Sequence, residues 1–529
     1  MSIEINAEFQ EALNALERGE NVFLTGKAGT GKSTFLRYVL QQGNKEAIVL
    51  APTGVAALNV EGQTIHSFYG IFPLDTLANK EEIIKRRGRM AFNILSSIDL
   101  LILDEVSMVR ADILDMMNAL TCELFARYGK TDEVKARSQK PFAGIQLLFI
   151  GDLYQLPPVV TNKEKNLFYN EYASSYFFDA KCYPSLGMKI YELEKVYRQH
   201  DERFIGILNR IRNGQVTDED LEILNERYQK DFDPGDCSYI YLTTHNDIVN
   251  EINREKLEEL PGKKHIYSAT IEGNFEEKDF PTDEELVLKK NAQVMFLVND
   301  AERRWVNGTF GRVLSCGKDT VVVELENGEE VTVEPYEWKA YRYTREGEKL
   351  AKEAVGRFVQ LPLKLAWSIT VHKSQGKTFS HVILNMKRGT FSAGQAYVAL
   401  SRVTSLEGLV LTSPLSWRSI MVNERVIQFM NSTHSQQMEV RSPDDEKRTL
   451  IKKAIEKNQK VEIIYVKSDN TMSYRVIIPH FVGEVFYKGR SFEGVVGFCL
   501  KSQETRNFRL DRIVELRLLF SEDTEHQEQ

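Results

Sequence analysis

No stretch of this chain approaches the ~20 consecutive apolar residues that a membrane-crossing helix needs. Its N-terminal segment, MSIEINAEFQEALNALERGE, is acidic and amphipathic, unlike a secretory signal. Cysteine is scarce: Cys122, Cys182, Cys237, Cys316 and Cys499 are scattered, with no C-x-x-C pair and no histidine close enough to complete a zinc site. That spacing excludes a disulfide framework and a cysteine-based metal centre, and the expected location is the cytoplasm. Internal repeats and low-complexity tracts are missing too, which sets aside solenoids and disordered arrays. Basic charge is short, and the formal net charge of −8 weighs against a nucleic-acid partner. The shortage is uneven, however. Residues 447–520 hold 15 Lys and Arg against 8 Asp and Glu, a net of +7, while the last nine residues carry −4. Binding follows local fields, so the overall sign does not exclude DNA.

What remains is the composition of a globular protein, 42% hydrophobic and 27% charged, over 529 residues. That length exceeds one hydrophobic core and predicts three or four packed units. In the first 200 residues, short apolar runs (NVFLTG, AIVLAPTG, DLLILDE, IQLLFIGD) alternate with amphipathic stretches such as STFLRYVLQQG. The alternation predicts an α/β fold, a parallel sheet covered by helices. A second such region starts at YELEKVYRQ, with strands at YIYLTT, LKLAWSIT, HVILNM and GLVLTS. Within it, from about Leu286 to Arg357, short strands with Gly-containing turns, WKAYRY among them, predict a small inserted antiparallel barrel. The polar run 431–446 reads as a linker, followed by a short helix and β-rich sequence.

The sharpest signal is NVFLTGKAGTGKSTFLRYVL. Gly26-x4-Gly31-Lys32-Ser33 follows an apolar strand and opens a helix, which is the setting of a P-loop. Gly29 and Gly31 let backbone N–H groups curl around the β-phosphate of ATP, and the helix N-terminus adds its dipole. Lys32 suits the β/γ-phosphates and the Ser33 hydroxyl suits Mg²⁺, with Thr30 and Thr34 in the same loop. A carboxylate pair is needed on another strand, and DLLILDEVSM supplies it. Asp104 would hold Mg²⁺ through water, and Glu105 would act as general base.

The order of the further motifs selects the class. APTGVAALNVEGQTIHSF, KPFAGIQLLFIGDLYQLPPV, VYRQ, the VMFLVND…RWVNGTFGRV run, ITVHKSQGKTF and AYVALSRVTS follow in series. Together they resemble superfamily one helicases of the RecD-like and PIF-type branch, over residues 1 to 430. The resemblance implies two RecA-like P-loop domains, 1–190 with a small DNA-facing insertion near 64–95, and 191–430 with the barrel at 286–357. It implies an ATP-dependent DNA helicase moving 5′ to 3′ on single-stranded DNA of tailed or forked duplexes, as a monomer. RNA or an RNA–DNA hybrid is an open alternative, as is a regulator in which the ATPase only drives a switch.

Residue by residue, the resemblance makes Gln155 a γ-phosphate sensor and Arg198 and Arg402 arginine fingers. Gly376 becomes a close backbone approach to the nucleotide, and Gln10 an adenine reader, although FQEALNAL also fits an ordinary helix. Pro52, Thr53, Gly54, Thr64, His66 and Ser67 would contact DNA phosphates from the first domain, and Asn246, Thr370, His372 and Lys373 from the second. Phe68 and Tyr69 suit either base stacking or core packing. Lys85-Arg86-Arg87-Gly88-Arg89 suits either DNA tracking or a solvated helix face.

Residues 447–520 resemble a WYL domain, the β-rich module of bacterial regulators, ahead of an acidic tail at 521–529. RNFRLDRI matches the family's terminal motif, while Phe492-Glu493-Gly494 replaces the namesake triplet. Tyr465, Lys467, Arg475, Arg506, Arg509 and Arg512 would form a patch for nucleic acid or a ligand. Period-two alternation separates Arg506 from Arg509, leaving Asp511 and Glu515 as ion-pair partners for some of them.

Overall fold

The computed structural model describes residues 5–518, apart from 73–74, 162–163, 200, 231, 233, 235–238, 301, 303, 347–348, 387–388, 391, 442–443, 458, 468–471 and 488–489. Cys237 and the tail 521–529 therefore lie outside the described residues; the other four cysteines are free thiols. Two compact units divide the chain, Met1–Asn423 and Glu424–Gln529. Among the described residues no helix is long and apolar enough to cross a membrane.

The first unit begins with a parallel sheet of β1 (Val22–Gly26), β2 (Ala47–Ala51), β3 (Gln63–Thr64), β4 (Leu100–Leu103), β5 (Gln146–Ile150) and β6 (Lys189–Leu193). Their order is β3-β2-β4-β5-β1-β6. β1, β4 and β5 are buried along their whole length, which is why they read as unbroken apolar runs rather than alternating ones. β6 pairs in parallel with β1 through Leu193, so the first sheet runs past the expected boundary at residue 190.

A second parallel sheet contains β7 (Ile240–Thr243), and the chain leaves it for a long antiparallel insertion. This comprises β8 (His265–Ser268), β9 (Thr270–Gly273), β10 (Glu285–Leu288), β11 (Gln293–Phe296), β12 (Phe310–Cys316), β13 (Val321–Leu325), β14 (Glu330–Val333), β15 (Tyr336–Glu346), β16 (Lys349–Gln360) and β17 (Leu363–Leu365). The chain then re-enters the parallel sheet as β18 (Ser368–Thr370), β19 (Val382–Asn385) and β20 (Leu409–Leu411), giving the order β18-β7-β19-β20. Helix Glu202–Arg212 and helix Gln395–Leu400 supply Phe204, Ile207, Ile211, Val398 and Leu400 to its core, which also takes in Ala28 and Leu156 from the first domain.

The antiparallel insertion is longer than the small barrel expected at 286–357. It spans 265–365 and forms an open five-stranded sheet, β14-β13-β12-β11-β17, with the β8–β10 pair sharing its core. LKLAWSIT is accordingly split, its first half closing the insertion as β17 and its second half joining the parallel sheet as β18. WKAYRY lies in neither sheet. It belongs to the β15–β16 hairpin, which pairs only with β9 and reaches across to the first domain. There Tyr343, 2% exposed, accepts a hydrogen bond at its hydroxyl from Val49 N at 2.8 Å. The Tyr343 amide donates to Gln63 Oε1, and Lys352 Nζ donates to the Glu61 carbonyl. β3 pairs only with Leu50 and Ala51, so Val49 lies past its end and Tyr343 completes the edge.

The second unit opens with helix Glu424–Arg441, so most of the run 431–446 expected as a linker is helical. Helix Asp444–Glu456 follows, then β21 (Val461–Val466), β22 (Met472–Tyr487), β23 (Arg490–Cys499), β24 (Glu504–Arg509) and β25 (Ile513–Leu518) in the order β24-β23-β22-β21-β25, all antiparallel. Ile451 and Ala454 of the helix pack on Val461, Ile463, Ile477, Val495 and Phe508.

Candidate nucleotide cleft and nucleic-acid interface

Strand ends sort the candidate residues into two groups. The loops after β1, β4 and β5, neighbours in the centre of the first sheet, carry Gly26–Ser33, Asp104–Glu105 and Asp152–Gln155. Ligands of open α/β sheets lie outside the carboxyl ends of such strands. Helix Lys32–Gln42 begins immediately after the loop, with Gly31 as its N-cap and no side-chain cap, so its first N–H groups stay available for phosphate oxygens. Gly29 has φ +80°, and a Cβ there would lie 2.5 Å from Arg198 Cβ. Glycine is thus required both by conformation and by the approach of the other domain. Thr30 is buried with its hydroxyl donating to the Lys27 carbonyl, and Ser33 and Thr34 open the helix. Lys32 Nζ donates to the carbonyls of Gly26 at 2.8 Å and Lys27 at 2.9 Å, and burial pushes its pKa down.

The carboxylates are perturbed in the opposite direction. Burial pushes Asp104 up to about 6, and burial together with Asp104 pushes Glu105 up to about 7. Glu105 is held at φ +48°, an uncommon conformation for a non-glycine residue. Gln375, on the loop after β18, donates to both Glu105 Oε2 (3.2 Å) and Gln155 Oε1 (3.0 Å). Gln155 in turn donates to Asp152 Oδ2 at 3.1 Å.

The second domain supplies the rest of the cleft. Arg198 donates to the carbonyls of Ser401 and Gly376, and Arg402, 1% exposed, donates to the carbonyls of Val398, Ser374 and Lys377 and to Ser401 Oγ. Among the described residues neither is paired with a carboxylate. Burial and the neighbouring Arg198 push Arg402 down to about 9, still charged at neutral pH. Two guanidiniums fixed by carbonyls and facing a buried cleft are cations arranged for an anion. The Tyr397 hydroxyl accepts from Ala28 N at 3.1 Å, and a Cβ on Gly394 (φ +76°) would lie 2.3 Å from the Gln155 carbonyl. Gln375 and Tyr397 sit inside motifs legible in the sequence but were not singled out there, and Gly394 lies two residues before AYVALSRVTS. Gln10 is exposed, and its amide donates to Asn14 on its own helix.

The second group of residues lies on other strand ends. Pro52–Gly54 and Thr64–Ser67 follow the adjacent β2 and β3; Asn246 and Thr370–Lys373 follow the adjacent β7 and β18. Thr53 and Thr64 cap helices Gly54–Asn59 and Ile65–Tyr69 with their hydroxyls, and Ser67 Oγ accepts from Gln63. Asn246 is exposed at the start of helix Asn246–Glu259, and Lys373 is exposed. Thr370 is buried and its hydroxyl accepts from Lys373 N. Burial pushes His372 down, favouring its neutral form. Asp279 of the insertion lies so close to Gly54 that a Cβ there would be 2.0 Å from its carboxylate.

Core packing and ion pairing engage several of the other candidates. Phe68 is 2% exposed and packs edge-on against Tyr69, whose hydroxyl bonds Thr121 Oγ1 at 2.9 Å, so both are core residues. Arg86 is committed to Asp75 (2.7 Å) and the Gly70 carbonyl, and lies over the Phe72 ring; Arg87 is partly buried beside Gly70 with one terminal nitrogen unpartnered among the described residues, and Lys85 and Arg89 are exposed. In the C-terminal unit, Tyr465 packs on Phe508 and its hydroxyl accepts from Arg509 N. Arg509 pairs with Asp511 and Arg506 with Glu504, so these two arginines are not free cations. Arg475 and Arg512 are half-buried and Lys467 is exposed; the Glu515 side chain lies outside the described residues.

Comparison with known proteins bears on this arrangement. The PIF1-like helicase family model matches residues 3–222 and the WYL domain model residues 446–518. The chain is 33% identical to the ATP-dependent DNA helicase Pif1 of Bdellovibrio bacteriovorus over 81% of its length and 92% of that relative's. It spans 59% to 66% of the length of its vertebrate relatives. Bacteroides sp Pif1 in complex with ADP-AlF4 superposes with a TM-score of 0.74 at 36% identity, over 82% of this chain and 98% of that one. Bacteroides Pif1 bound to ssDNA gives 0.58 at 38% identity over the same shares. The two parallel sheets with their antiparallel insertion, the split cleft and these likenesses together show that the chain belongs to the PIF1-like helicase family of ATP-dependent DNA helicases, with a WYL domain at its C-terminal end.

Proposed function

We propose that this protein hydrolyses ATP in the cleft between its two RecA-like domains to move 5′ to 3′ along single-stranded DNA and unwind the duplex of a tailed or forked substrate. The observation that carries the reading is the split site: Lys32, Glu105 and Gln155 on one domain face two carboxylate-free arginines, Arg198 and Arg402, on the other. A site completed by two bodies works only when they close, so nucleotide turnover opens and closes the molecule. Solved relatives, Bacteroides Pif1 bound to ssDNA and two coordinating Pif1 helicases at forked dsDNA, supply the substrate class.

In this reading Lys32 neutralises the β/γ-phosphates and Glu105 takes the proton of the attacking water. Gln155 orients that water, and Arg198 and Arg402 stabilise the charge of the transition state. Ser33 and Asp104 fit Mg²⁺, since burial leaves Asp104 in need of a cation and a hard dication is commonly held by one carboxylate and a hydroxyl beside the nucleotide. Bound there, Mg²⁺ would supply positive charge to offset that of the phosphates. Gly376 brings backbone close to the nucleotide. Pro52, Thr53, Gly54, Thr64, His66 and Ser67 grip the strand from one domain, and Asn246, Thr370, His372 and Lys373 from the other, alternately as the cleft cycles. The C-terminal unit offers Lys467, Arg475 and Arg512 to nucleic acid or an anionic ligand. The protein acts as a cytoplasmic monomer.

The test is ATP-dependent strand separation of a duplex carrying one single-stranded tail, 5′ or 3′, with DNA and RNA tails of matched sequence. Unwinding of the 5′-tailed DNA alone, abolished in Lys32→Ala, is the expected result. Unwinding from the 3′ tail, or none despite DNA-stimulated ATPase, would overturn it.

A further inference from the structure

Arg212, the last residue of helix Glu202–Arg212 in the second domain, is buried in the interface with the first. Its guanidinium meets two carboxylates, both from the other domain: Glu192 of β6 at 2.8 Å and Asp152 at 3.5 Å. It also lies over the ring of Tyr154, 4.1 Å from the centroid. Burial opposes its charge, but Asp152 and Glu192 outweigh burial and raise its pKa. Arg212 Nε has no acceptor among the described residues, so the pairing is not an optimised structural ion pair.

Asp152 connects this cation to the chemistry. One oxygen faces Arg212, the other accepts from Gln155 Nε2, and Gln155 Oε1 accepts from Gln375, which also holds Glu105. A primary amide has only two orientations in its plane. Here Asp152 fixes the NH₂ end and Gln375, from the second domain, the carbonyl end; Asp152 Oδ1 is itself held by the Tyr154 N–H at 3.2 Å and, from the second domain, by Arg212 at 3.5 Å.

From this geometry we infer that Arg212 is a positioning residue for hydrolysis: it holds Asp152, and through it the Gln155 amide, in the orientation required at the γ-phosphate. Because Arg212 belongs to the second domain, its share of the hold on Asp152 is made when the cleft is closed, in addition to the Tyr154 N–H that holds Asp152 within its own loop. The signal for closure thus reaches Gln155 from behind, through Asp152, as well as from the nucleotide side through Gln375. The inference rests on the reading of Gln155 as the γ-phosphate sensor.

The experiment uses the full chain with Arg212→Lys, which keeps a cation but loses the fork, Arg212→Met, Gln155→Ala, and the double variant Arg212→Lys with Gln155→Ala. Folding is checked by circular dichroism and melting, and Arg212→Lys alone carries the test if Arg212→Met does not fold. Steady-state ATPase is measured with saturating oligothymidylate, and binding of ADP and of ADP with aluminium fluoride is titrated separately. The expected result for Arg212→Lys is a kcat loss of about tenfold to a hundredfold, with KM for ATP changed less than about threefold. Affinity for ADP with aluminium fluoride falls by a comparable factor while that for ADP alone holds, a split that a general structural weakening would not produce. In the Gln155→Ala background the Arg212→Lys change costs almost nothing more, since both act on one step. An unchanged kcat in folded Arg212→Lys, or a full additional loss in the double variant, overturns the inference. A fully active Gln155→Ala instead overturns the reading of Gln155 and this inference with it.

Discussion

Replacing Tyr343 by phenylalanine removes one oxygen atom and tests whether the insertion hairpin holds the first domain. Tyr343 is 2% exposed, and its hydroxyl accepts from Val49 N at 2.8 Å and lies 3.4 Å from the Val49 carbonyl as donor. Phenylalanine keeps the ring packing, so almost no apolar burial is lost. The Val49 N–H, however, lies beyond the end of β3 and is left without a partner. An orphaned buried donor costs about 1–3 kcal/mol. If that cost falls on the hairpin contact alone, the fraction of molecules with the hairpin released rises by between about fivefold and a hundredfold. Hydrogen exchange followed by mass spectrometry reads this directly, in peptides covering 47–53 and 336–360. Exchange in both should accelerate together, while peptides of β5 and β19 stay protected. Unchanged exchange in 47–53, with Tyr343→Phe folded, would refute the assignment of the hairpin as the cap of this strand edge.

The remaining predictions concern the cleft and the first-domain insertion. Asp104 and Glu105 are raised to about 6 and about 7, and the base must be ionised, so kcat/KM should climb between about pH 6 and 8; a flat profile across that window refutes the role of Glu105. The same shift bears on stability with a defined sign. A carboxylate whose folded pKa is raised contributes stability below its unfolded pKa and loses it as pH rises through 7, so Glu105→Gln should raise the melting temperature more at pH 8 than at pH 5. Phe68→Ala should cost about 3–5 kcal/mol of stability, measured by denaturant unfolding, because the ring is core. A stable variant with weakened ssDNA binding would restore the stacking role.

The parts of the site legible in the sequence are those that a local segment defines by itself. Gly26 through Ser33 form one turn between β1 and its helix, and Asp104–Glu105 end β4, so spacing along the chain equals placement in space. What the sequence left open depended on partners far away. Phe68 and Tyr69 read equally as stacking rings until Thr121 and the surrounding core decided between the alternatives. The run holding Arg86 read as tracking DNA or as a solvated helix face until Asp75 was found beside it, and of the ion pairs expected around RNFRLDRI the one with Asp511 falls to Arg509, while Arg506 takes Glu504, which the sequence did not single out. Arg212 stood out in no motif, because its role is defined by Asp152 and Glu192, which lie 60 and 20 residues earlier. The full extent of the insertion was hidden for a related reason: strand pattern identified β11 to β14 but could not say that the next two strands would turn away to serve another domain.

The insertion also constrains the order in which the molecule can be assembled. β7 and β18 are sheet neighbours, Tyr241 beside Ser368, yet the whole insertion lies between them in the chain. Joining two strands across so long a flexible loop is entropically slow. A folded insertion shortens that loop, because β17 ends at Leu365, three positions before β18 begins. During synthesis the first sheet is complete once β6 has emerged, whereas the second must wait for the insertion to fold and then for β19 and β20. Until residue 397 is made, Ala28 in the phosphate loop lacks the tyrosine that later accepts its N–H. The cleft is therefore the last region to form, and changes that slow folding of the insertion will lower the yield of active enzyme even when they touch no residue of the cleft.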